Sequence, residues 1–596
     1  MCGILGIMSK NQISIKEVIE RLKILEYRGY DSWGIAFKNP KKGMCVIKKI
    51  GSISQNKIEN SLLTNIAIAH TRWATHGGVK ENNAHPHISM NKEVYLVHNG
   101  IVENFKQLKD YLKSKGYEFY GDTDSEIIAN LIEYEIKASN GNKDFMHVLA
   151  NALKKIKGSY ALAMIIQGYL VGAAKNLPLL IGINKKGKIY ISSDVKSFIN
   201  DVNQVYAFND GDLVIIENHK KLLFYNIYQN KIFSPRFEEV EDVSKYGKWE
   251  PLNGYPHYTI KEIEEQKDKL YEMISYISRD VKKVVEEIKK ARGIFLIGSG
   301  SSYNACLCAS YLFSSIAKTH VNVVDASELS YYTHFFTPKT LVIGVSQSGE
   351  TADVIESIKV AKRKGCKIIG ITNVYGSTLH RLSDITILMH VGSEISVIAT
   401  KTYTAQLLIL IYIISILAGK EEIISRSLSD LRKSISYLLN EDFKEKIRHV
   451  AKELKKEEHL YIIGRGANYA SALEGALKIK EISYIHAEAF SGGALKHGSI
   501  ALISNGTYVI AIAPEDETYD EIMSNVMEVK ARGGKVIGIT TKHNEIFDIE
   551  ILIPKHPVFQ VILNIIPLQL LAYYLAVLRN LNPDKPRNLA KSVTVK

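Results

Sequence analysis

The most distinct hydrophobic pattern in the chain is a short apolar run, Leu341–Val345, that turns abruptly polar. A run of this length, rich in Val and Ile, is typical of a buried strand. A turn of small hydroxyl residues with Gly349 follows, and then apolar residues recur at helical spacing. The pattern predicts a strand, a loop over residues 346–351 and a helix that is capped by Gly365.

The same design recurs along the second half of the chain. Ile294–Ile297 and Leu460–Ile463 each run into a Gly-x-Gly turn and then into helical patterning. The segment Tyr508–Thr540 repeats Leu341–Thr372 at an offset of roughly 167 residues. The chain is therefore predicted to contain a duplicated α/β domain. Alternating strands and helices predict parallel, doubly wound sheets in both copies.

The first half of the chain has a different texture, with short strand patterns and few long helices. This texture predicts stacked sheets in an α+β domain. The strand candidates are Ile66–Ala69, Val94–Val97, Tyr160–Ile166, Lys188–Ser192 and Leu213–Glu217.

These patterns predict the domain boundaries. Residues 1–226 form the α+β domain, and residues 227–270, where apolar patterning fades among prolines and charges, form a linker. The duplicated domains occupy residues 275–425 and 440–580, and residues 581–596 form a polar tail. The tail lacks the apolar area that would offset its ordering entropy, so we expect a bound ligand to order it.

Composition narrows the function classes. The chain has 596 residues, 46% hydrophobic and 23% charged, which is ordinary for a multidomain globular protein. The net charge of +13 suits an anionic substrate, but no dense basic arm interleaved with aromatic residues is present. Nucleic-acid binding is therefore not expected.

Two apolar segments raise the question of a membrane. Leu407–Ala418 is too short to span a bilayer, and Val558–Leu578 is interrupted by polar residues and a proline. Both are predicted to be buried core helices. The five cysteines show no zinc spacing and no disulfide framework, and the N-terminus does not resemble a signal peptide. These features favour a cytoplasmic protein.

Cys2 is the first candidate for catalysis. Aminopeptidases usually remove an initiator Met before a small residue, which would leave Cys2 with a free α-amine beside its thiol. An α-amine titrates near ~8, so it can act as the internal base of a thiol nucleophile. A cysteine at this position carries little weight alone, and the residues around it in the fold decide its meaning.

Other candidate residues lie where strands end. Arg72 could hold a carboxylate, Asn99 and Gly100 could donate hydrogen bonds to an oxyanion, and Asp124 could accept an ammonium. A metal site is the alternative for the nearby histidines His70, His76, His85, His87 and His98. No i, i+4 pair of histidines on a helix is present, so no metal is predicted.

The Ser-rich loop after Leu341–Val345 is the second candidate site. A strand, hydroxyl side chains and a helix N-terminus that meet at one point form a cradle for a phosphate group. An ordinary Ser-rich turn is the alternative for this loop taken alone. Its candidate binding residues are Ser346, Gln347, Ser348 and Thr351.

The N-terminal motifs resemble the glutaminase domain of class II amidotransferases. The resemblance implies that Cys2 attacks the glutamine amide and that Asn99 and Gly100 stabilise the oxyanion. It implies glutamine-binding roles for Arg72, Trp73, Thr75, His76 and Asp124. The motifs that carry it are Met1-Cys2-Gly3-Ile4, Tyr27-Arg28-Gly29-Tyr30-Asp31-Ser32, His70–Gly77, His98-Asn99-Gly100 and Thr123-Asp124-Ser125-Glu126.

The duplicated half resembles tandem sugar isomerase (SIS) domains, which bind phosphosugars in Ser/Thr-rich loops. A class II glutaminase followed by two SIS domains resembles the family of isomerising glutamine–fructose-6-phosphate aminotransferases. The resemblance implies that the chain hydrolyses glutamine and passes ammonia to fructose 6-phosphate, without a cofactor, to make glucosamine 6-phosphate. It implies sugar-phosphate contacts at Ser301, Ser302, Ser346, Gln347, Ser348, Thr351, Val397 and Ala590.

The resemblance also assigns catalytic roles in the second half. It implies that Glu481 transfers the proton between C1 and C2, with Lys478 beside it on one helix face. Without the resemblance, this pair would be interpreted as a solvated Lys–Glu pair. His497 matches the histidine that opens the sugar ring and that, in the family, comes from the neighbouring subunit of a dimer. Lys591 matches the lysine that forms a Schiff base with the sugar.

The chain departs from the family in places, among them Ser301, where a threonine is common. Ala494 stands beside the His497 motif where a glutamate is usual, Ser499 replaces a proline, and Ala399 replaces a serine. These departures could alter sugar preference or rate. Two alternatives stay open: an amidotransferase for a different sugar phosphate, and a phosphosugar-sensing regulator that uses SIS domains for binding. Glu481, Lys591 and the glutaminase motifs argue against the regulator.

Overall fold

The structure is a computed structural model that describes residues 2–55, 62–74, 77–139, 144–219, 221–240 and 251–592. The chain divides into two compact units. The first contains residues 1–249 with the short segments 375–381 and 592–595. The second contains residues 250–374 and 382–591.

The first unit contains two antiparallel sheets. The eight-stranded sheet has, in order, Glu238–Glu239, Gln204–Ala207, Leu180–Ile183, Lys188–Ser192, Gly3–Ser14, Leu63–Arg72, Ser32–Asn39 and Gly43–Ile50. The seven-stranded sheet has Lys231–Phe233, Lys221–Asn226, Asp212–Asn218, Tyr169–Lys175, Gly158–Ile166, Val94–Val102 and His87–Ile88.

Alternation along the strands explains why the two sheets stack. In the strand Gly3–Ser14, Ile4 packs into a core shared with the second sheet, whereas Leu5 and Ile7 face helix Ile15–Lys23. Side chains of a strand point alternately to its two faces, so each sheet can bury both. Three helices, Phe105–Ser114, Ser125–Ala138 and Phe145–Lys154, cover the outer face of the second sheet. The predicted stacked-sheet fold is confirmed.

The second unit contains two five-stranded parallel sheets. The first has, in order, Asn322–Asp325, Gly293–Gly298, Thr340–Val345, Lys367–Thr372 and Ile385–Leu388. The second has His486–Ser491, His459–Gly464, Tyr508–Ala513, Lys535–Thr540 and Ile549–Leu552. Both sheets have the strand order 2-1-3-4-5, so the predicted duplication and the doubly wound fold are confirmed.

Two apolar helices, Lys401–Leu417 and Gln560–Leu578, lie in the core that both parallel sheets share. Helix Gln560–Leu578 is long and apolar enough to cross a membrane, but its most apolar window is 89% buried within the structure. The remaining helices surround this core. The main helices of the unit are Tyr258–Lys290, Ser301–Ser315, Ala352–Arg363, Lys401–Leu417, Glu421–Leu438, Glu441–Leu454, Ala467–Ser483, Tyr519–Lys530 and Gln560–Leu578.

The predicted linker, residues 227–270, differs from the structure at both ends. Lys231–Phe233 and Glu238–Glu239 are sheet strands, and a 33-residue helix begins at Tyr258. Ile260 and Ile263 occupy buried positions of that helix, three residues apart. The prolines and charges hid this periodicity in the sequence. Residues 241–250 of the predicted linker lie outside the described residues.

Candidate functional site

The first site is built around Cys2, which enters the strand Gly3–Ser14 beside the end of the strand Leu63–Arg72. The backbone N–H of Trp73 donates to Cys2 Sγ over 3.2 Å, and the side-chain amide of Asn99 donates to the Cys2 carbonyl oxygen over 2.8 Å. Residues far apart in sequence therefore surround one thiol.

The Cys2 thiol has a raised pKa and therefore needs a base in order to react. Burial raises the pKa of the Cys2 thiol, whereas the Trp73 N–H and the Arg72 guanidinium act in the opposite direction. The net shift is upward, so the neutral thiol predominates near neutral pH. A nucleophile in this state needs a neighbouring base to remove its proton.

His70 orients the amide of Asn99. Its Nε2 lies 3.0 Å from Asn99 Oδ1. Because an amide oxygen can only accept a hydrogen bond, His70 Nε2 carries the hydrogen and the Asn99 Nδ2 group faces Cys2. The sequence offered His70 only as a candidate metal ligand. Its role as support for a predicted oxyanion donor was missed, because no spacing rule links residues 70 and 99.

Gly100 cannot carry a side chain at its position. Its φ is +136°, and an added Cβ would lie 2.1 Å from the carbonyl oxygen of Ser159 on the neighbouring strand. The backbone conformation at the end of the strand Val94–Val102 therefore requires glycine. Gly100 directly follows Asn99, whose side-chain amide faces Cys2.

Arg72 and Asp124 occupy the surroundings of the thiol. The Arg72 guanidinium donates to the carbonyl oxygens of Gly77 and Gly78, at 3.0 and 3.3 Å. Asp124 is buried, and its Oδ2 accepts the N–H of Val102 over 2.7 Å. A cation and a carboxylate therefore lie at these strand ends, and Arg72 interacts electrostatically with both Cys2 and Asp124. Thr75 and His76, also predicted to bind glutamine, lie outside the described residues.

The Tyr27–Ser32 motif holds the site in place. Arg28 forms a buried ion pair with Asp194 over 2.9 Å, and Asp31 accepts the N–H of Ala74 over 2.8 Å. The second contact fixes the backbone that follows Arg72 and Trp73. Asp194 was not predicted, because a lone Asp in a loop gives no signal of a partner 166 residues away.

Four buried histidines form a cluster behind Asn99: His70, His85, His87 and His98. The rings of His70 and His85 lie 4.1 Å apart, and those of His85 and His87 lie 4.6 Å apart. Burial lowers the pKa of His70 to about 3 and the pKa values of the other three below their ordinary range. No group of three potential ligands arranged for a metal is present among the described residues.

This cluster predicts that acid destabilises the first unit. The folded-state pKa values lie below the unfolded value near ~6.5, so the unfolded chain binds more protons at lower pH. The contribution of these histidines to the free energy of unfolding is therefore fully present above pH ~6.5. Below that pH, the free energy of unfolding falls by about 1.4 kcal/mol per pH unit for each histidine. Urea unfolding followed by tryptophan fluorescence, with Trp33 fully buried in this unit, measures the loss.

Two variants test the origin of the acid sensitivity. Neither ring nitrogen of His85 has a hydrogen-bond partner among the described residues, so His85→Leu should flatten the pH dependence by about one histidine. His147 is about half exposed on helix Phe145–Lys154, and His147→Gln should leave the dependence unchanged. Equal slopes for wild type and His85→Leu would contradict the prediction.

The second site lies at the carboxyl edge of the first parallel sheet. The strands Gly293–Gly298 and Thr340–Val345 are neighbours there, at the point where the strand order reverses. Open α/β sheets bind their ligands at this switch point. The loops over residues 299–300 and 346–351 leave these two strands, so Ser301 and Ser302 come to the same edge as Ser346 and Thr351.

The loop over residues 346–351, the predicted phosphate cradle, is held together by its own hydrogen bonds. Ser346 Oγ lies 2.9 Å from Thr351 Oγ1 and accepts the N–H of Gly349 over 3.1 Å. Ser348 Oγ accepts the N–H of Glu350, and the carbonyl of Gln347 accepts the N–H of Asn373. Helix Ala352–Arg363 begins directly after this loop. Hydroxyl groups and a positive helix end therefore face one point, a chemistry suited to phosphate.

The second copy keeps the backbone of the site but not its chemistry. Gly300 and Gly466 precede their helices with nearly identical angles, φ 56° and ψ −125° against φ 52° and ψ −130°. In place of the hydroxyl loop, however, the second copy has Pro514–Thr518, in which Asp516 accepts from Asn468 and Thr518. A carboxylate in this loop repels a phosphate anion, so the chemistry suited to phosphate lies in the first copy and not in this loop of the second.

Lys478 lies at the centre of a buried charged cluster on helix Ala467–Ser483. Its Nζ is 2.6 Å from Glu481, 3.4 Å from Glu474 and 3.0 Å from Ser301 Oγ. Burial alone would lower the pKa of Lys478, but the two carboxylates raise it above its ordinary value. Lys478 of the predicted Lys478–Glu481 pair is therefore buried and in contact with Ser301, and the pair is not a solvated one. Glu474 was missed by the sequence reasoning.

Lys591 also lies in a polar, buried setting. Its Nζ is 2.5 Å from Glu394 Oε2 and 3.2 Å from the carbonyl oxygen of Ile398. Burial would raise the pKa of Glu394, but Lys591 and Thr402 hold it below its ordinary value. Glu394 was not predicted, because it lies 197 residues from Lys591 in the chain.

The tail that carries Ala590 and Lys591 is fastened by contacts of the chain itself. Asp584 accepts the N–H groups of Tyr258 and Thr259, at 2.8 and 2.7 Å, and its own carbonyl accepts from Val397. The chain itself therefore helps to hold the tail, and the ordering of the tail by a bound ligand stays a prediction. The partners of the tail are remote in sequence, so a local argument about fraying could not include them.

His497 is not brought to this cluster within the chain. It is exposed in the turn after Gly492–Leu495, and its side chain has no hydrogen bond or ion pair among the described residues. Nothing in the structure explains the departures at Ala494, Ser499 and Ala399.

The comparisons with known proteins agree with this architecture. Profiles of the SIS domain match residues 287–415 and 453–579, and a glutamine amidotransferase domain profile matches residues 70–200. Isomerising glutamine–fructose-6-phosphate aminotransferases from Pyrococcus horikoshii and Thermococcus kodakarensis are 40% and 39% identical over 100% of both chains. The solved C-terminal domain of glucosamine-fructose-6-phosphate aminotransferase from Francisella tularensis is 34% identical, with a TM-score of 0.53, and covers 56% of this chain and 100% of its own. The chain therefore belongs to the family of isomerising glutamine–fructose-6-phosphate aminotransferases.

Proposed function

We propose that the protein transfers the amide nitrogen of glutamine to fructose 6-phosphate and releases glucosamine 6-phosphate and glutamate. Membership of the family supports this reaction directly. The observation that carries it in the structure is the arrangement of two buried catalytic clusters, around Lys478 and Lys591, in the unit that holds the phosphate cradle.

Glutamine hydrolysis takes place at Cys2. The free α-amine of Cys2 takes the thiol proton as the sulfur attacks the amide carbon of glutamine, and it passes the proton to the nitrogen, which leaves as ammonia. Water then hydrolyses the resulting thioester to glutamate. The Asn99 amide and the Gly100 backbone N–H stabilise the oxyanion, and the orientation of Asn99 by His70 supports this role. Arg72 binds the carboxylate of glutamine and Asp124 its ammonium group, with Trp73, Thr75 and His76 completing the pocket.

The sugar reaction takes place in the second unit. The loops with Ser301, Ser302 and Ser346–Thr351 hold the phosphate, and the backbones of Val397 and Ala590 hold the sugar. The neutral amine of Lys591 attacks C2 of the open-chain ketose, and water leaves as the imine forms. Glu481 then moves the proton between C1 and C2, and Lys478 stabilises the charge that develops. No cofactor and no metal takes part.

The ring-opening histidine comes from a second copy of the chain. His497 is exposed and has no polar side-chain contact among the described residues, which suits a residue that acts across an interface. The active protein is then a homodimer. A monomeric mass by light scattering for fully active protein would contradict this assignment.

The reaction belongs in the cytoplasm. A cysteine nucleophile must stay reduced, and the cytoplasm maintains reduced thiols. No nucleic acid or membrane takes part.

Product identification tests the function. The protein is incubated with fructose 6-phosphate and glutamine labelled with ¹⁵N in the amide group, and mass spectrometry follows the sugar phosphate. We expect glucosamine 6-phosphate that carries ¹⁵N, with one equivalent of glutamate. Glutamate release with no aminated hexose phosphate, or amination only of another sugar phosphate, would favour a different acceptor. Binding of the sugar phosphate without turnover would indicate a regulator.

A further inference from the structure

The start of helix Tyr258–Lys290 supports both segments that meet at Lys591. The helix begins after His257, which makes no side-chain capping bond. Asp584 of the tail caps it instead, by accepting the N–H groups of Tyr258 and Thr259. A carboxylate at a helix N-terminus stabilises both partners, so the capped helix end fixes the tail.

The other segment, residues 394–398, is fastened to the same helix at Thr259 and, one turn further along, at Glu262. Thr259 Oγ1 lies 2.7 Å from Ser396 Oγ. Glu262 Oε1 accepts the backbone N–H groups of Ile395 and Ser396, the latter over 3.3 Å. These residues directly follow Glu394, whose carboxylate holds Lys591 Nζ. Glu262 thus fixes the backbone that aims Glu394 at the lysine.

Glu262 is buried without a cation of its own. It is 1% exposed, and its Oε2 has no hydrogen-bond partner among the described residues. The two nearby cations are engaged elsewhere: Lys401 pairs with Glu265 over 2.5 Å, and Lys591 pairs with Glu394. A buried carboxylate that lacks an ion pair favours its neutral form.

The charges around Glu262 agree with that form. Burial and Glu394 raise the pKa of Glu262 to about 8, whereas Lys401, Lys591 and the N–H of Ile395 oppose the rise. On the same helix, the charge of Glu262 contributes to the raised pKa of Tyr258, and Lys261 pairs with Glu265. Asp584 faces the same helix end from the tail. Glu262 is therefore mainly neutral at pH 7 and ionises as the pH rises through about 8.

We propose that Glu262 is a positioning residue of the Schiff-base site, and that its neutral form keeps Lys591 competent to attack the sugar. This inference rests on the proposed function of Lys591. One carboxylate, Glu394, already holds the ammonium of Lys591. Ionised Glu262 adds a second negative charge nearby, stabilises the ammonium and lowers the fraction of neutral amine. The imine forms when that amine attacks C2 and water leaves.

The test is cyanoborohydride trapping of fructose 6-phosphate on the full-length protein, quantified by intact mass from pH 6.5 to 9.5. Glu262→Gln keeps the acceptor for the two N–H groups and cannot ionise. We expect it to trap sugar at the wild-type rate at pH 7 and several-fold faster at pH 9. Dividing the Glu262→Gln rate by the wild-type rate at the same pH cancels the pH dependence of the reductant. Glu262→Ala removes the support of Glu394 and should trap several-fold more slowly at every pH.

Glu272→Gln is the matched control, since Glu272 lies exposed on the same helix. Its rate should follow wild type throughout. A Gln-to-wild-type ratio that stays constant from pH 7 to 9.5 would overturn the charge role, and wild-type trapping by a folded Glu262→Ala would overturn the positioning role. Failure of wild type itself to trap sugar at any pH would instead refute Lys591 as the Schiff-base residue.

Discussion

Cys2→Ala is expected to lower glutamine hydrolysis by about 10⁴-fold or more, because it removes the only atom that can form the thioester. Without a nitrogen donor, the proposed proton transfer between C1 and C2 converts fructose 6-phosphate to glucose 6-phosphate, and this conversion should continue at the wild-type rate. The residues proposed for that step, Glu481 and Lys478, lie in the other unit. Glutamate release and glucose 6-phosphate formation, measured on the same preparation, report the two activities separately.

Cys45→Ala provides the matched control. Cys45 is also a partly buried thiol of the first sheet, on the strand Gly43–Ile50, and its replacement should change neither activity. If the Cys2→Ala protein releases glutamate as fast as the Cys45→Ala protein, Cys2 is not the nucleophile. Loss of isomerisation in Cys2→Ala would show instead that the two units do not act independently.

The strands of the second unit could be predicted from the sequence with good accuracy. Strands of a parallel sheet are buried on both faces, so Leu341–Val345 is a continuous apolar run with sharp polar ends. The predicted segment lies within the observed strand Thr340–Val345, and Gly365 follows the helix at φ +78° as expected. Local rules were sufficient here because each element carries its own signal.

The supports of the two sites could not be predicted in this way. Glu394 and Glu262 resemble surface residues in the sequence, yet both are buried. Their contacts join segments more than 130 residues apart, and no periodic pattern encodes such a distance. Asp194 was missed for the same reason, whereas the support of Asn99 by His70 was missed at a separation of only 29 residues, because no spacing rule links the two. The residues that we propose to react were named from motifs, whereas the residues that orient them became visible only in the fold.

Lys591→Arg is expected to abolish glucosamine 6-phosphate synthesis and covalent trapping of the sugar. Arginine keeps a cation opposite Glu394, so the tail should remain docked through Asp584. A guanidinium stays protonated at any accessible pH and cannot supply the neutral amine that an imine requires. Synthesis should fall by about 10³-fold or more, since a covalent step is removed and not merely weakened.

Basal glutamine hydrolysis should persist in Lys591→Arg, because Cys2 lies in the other unit. Lys585→Arg is the control, as it makes the same exchange at an exposed position of the same tail and should retain synthesis and trapping. Borohydride reduction followed by intact mass detects the sugar adduct, and the synthesis assay runs in parallel. Wild-type synthesis by Lys591→Arg would show that the lysine acts only as a charge that pairs with Glu394. Loss of synthesis with the adduct retained would place the Schiff base on a different lysine, because the Arg side chain cannot carry the adduct.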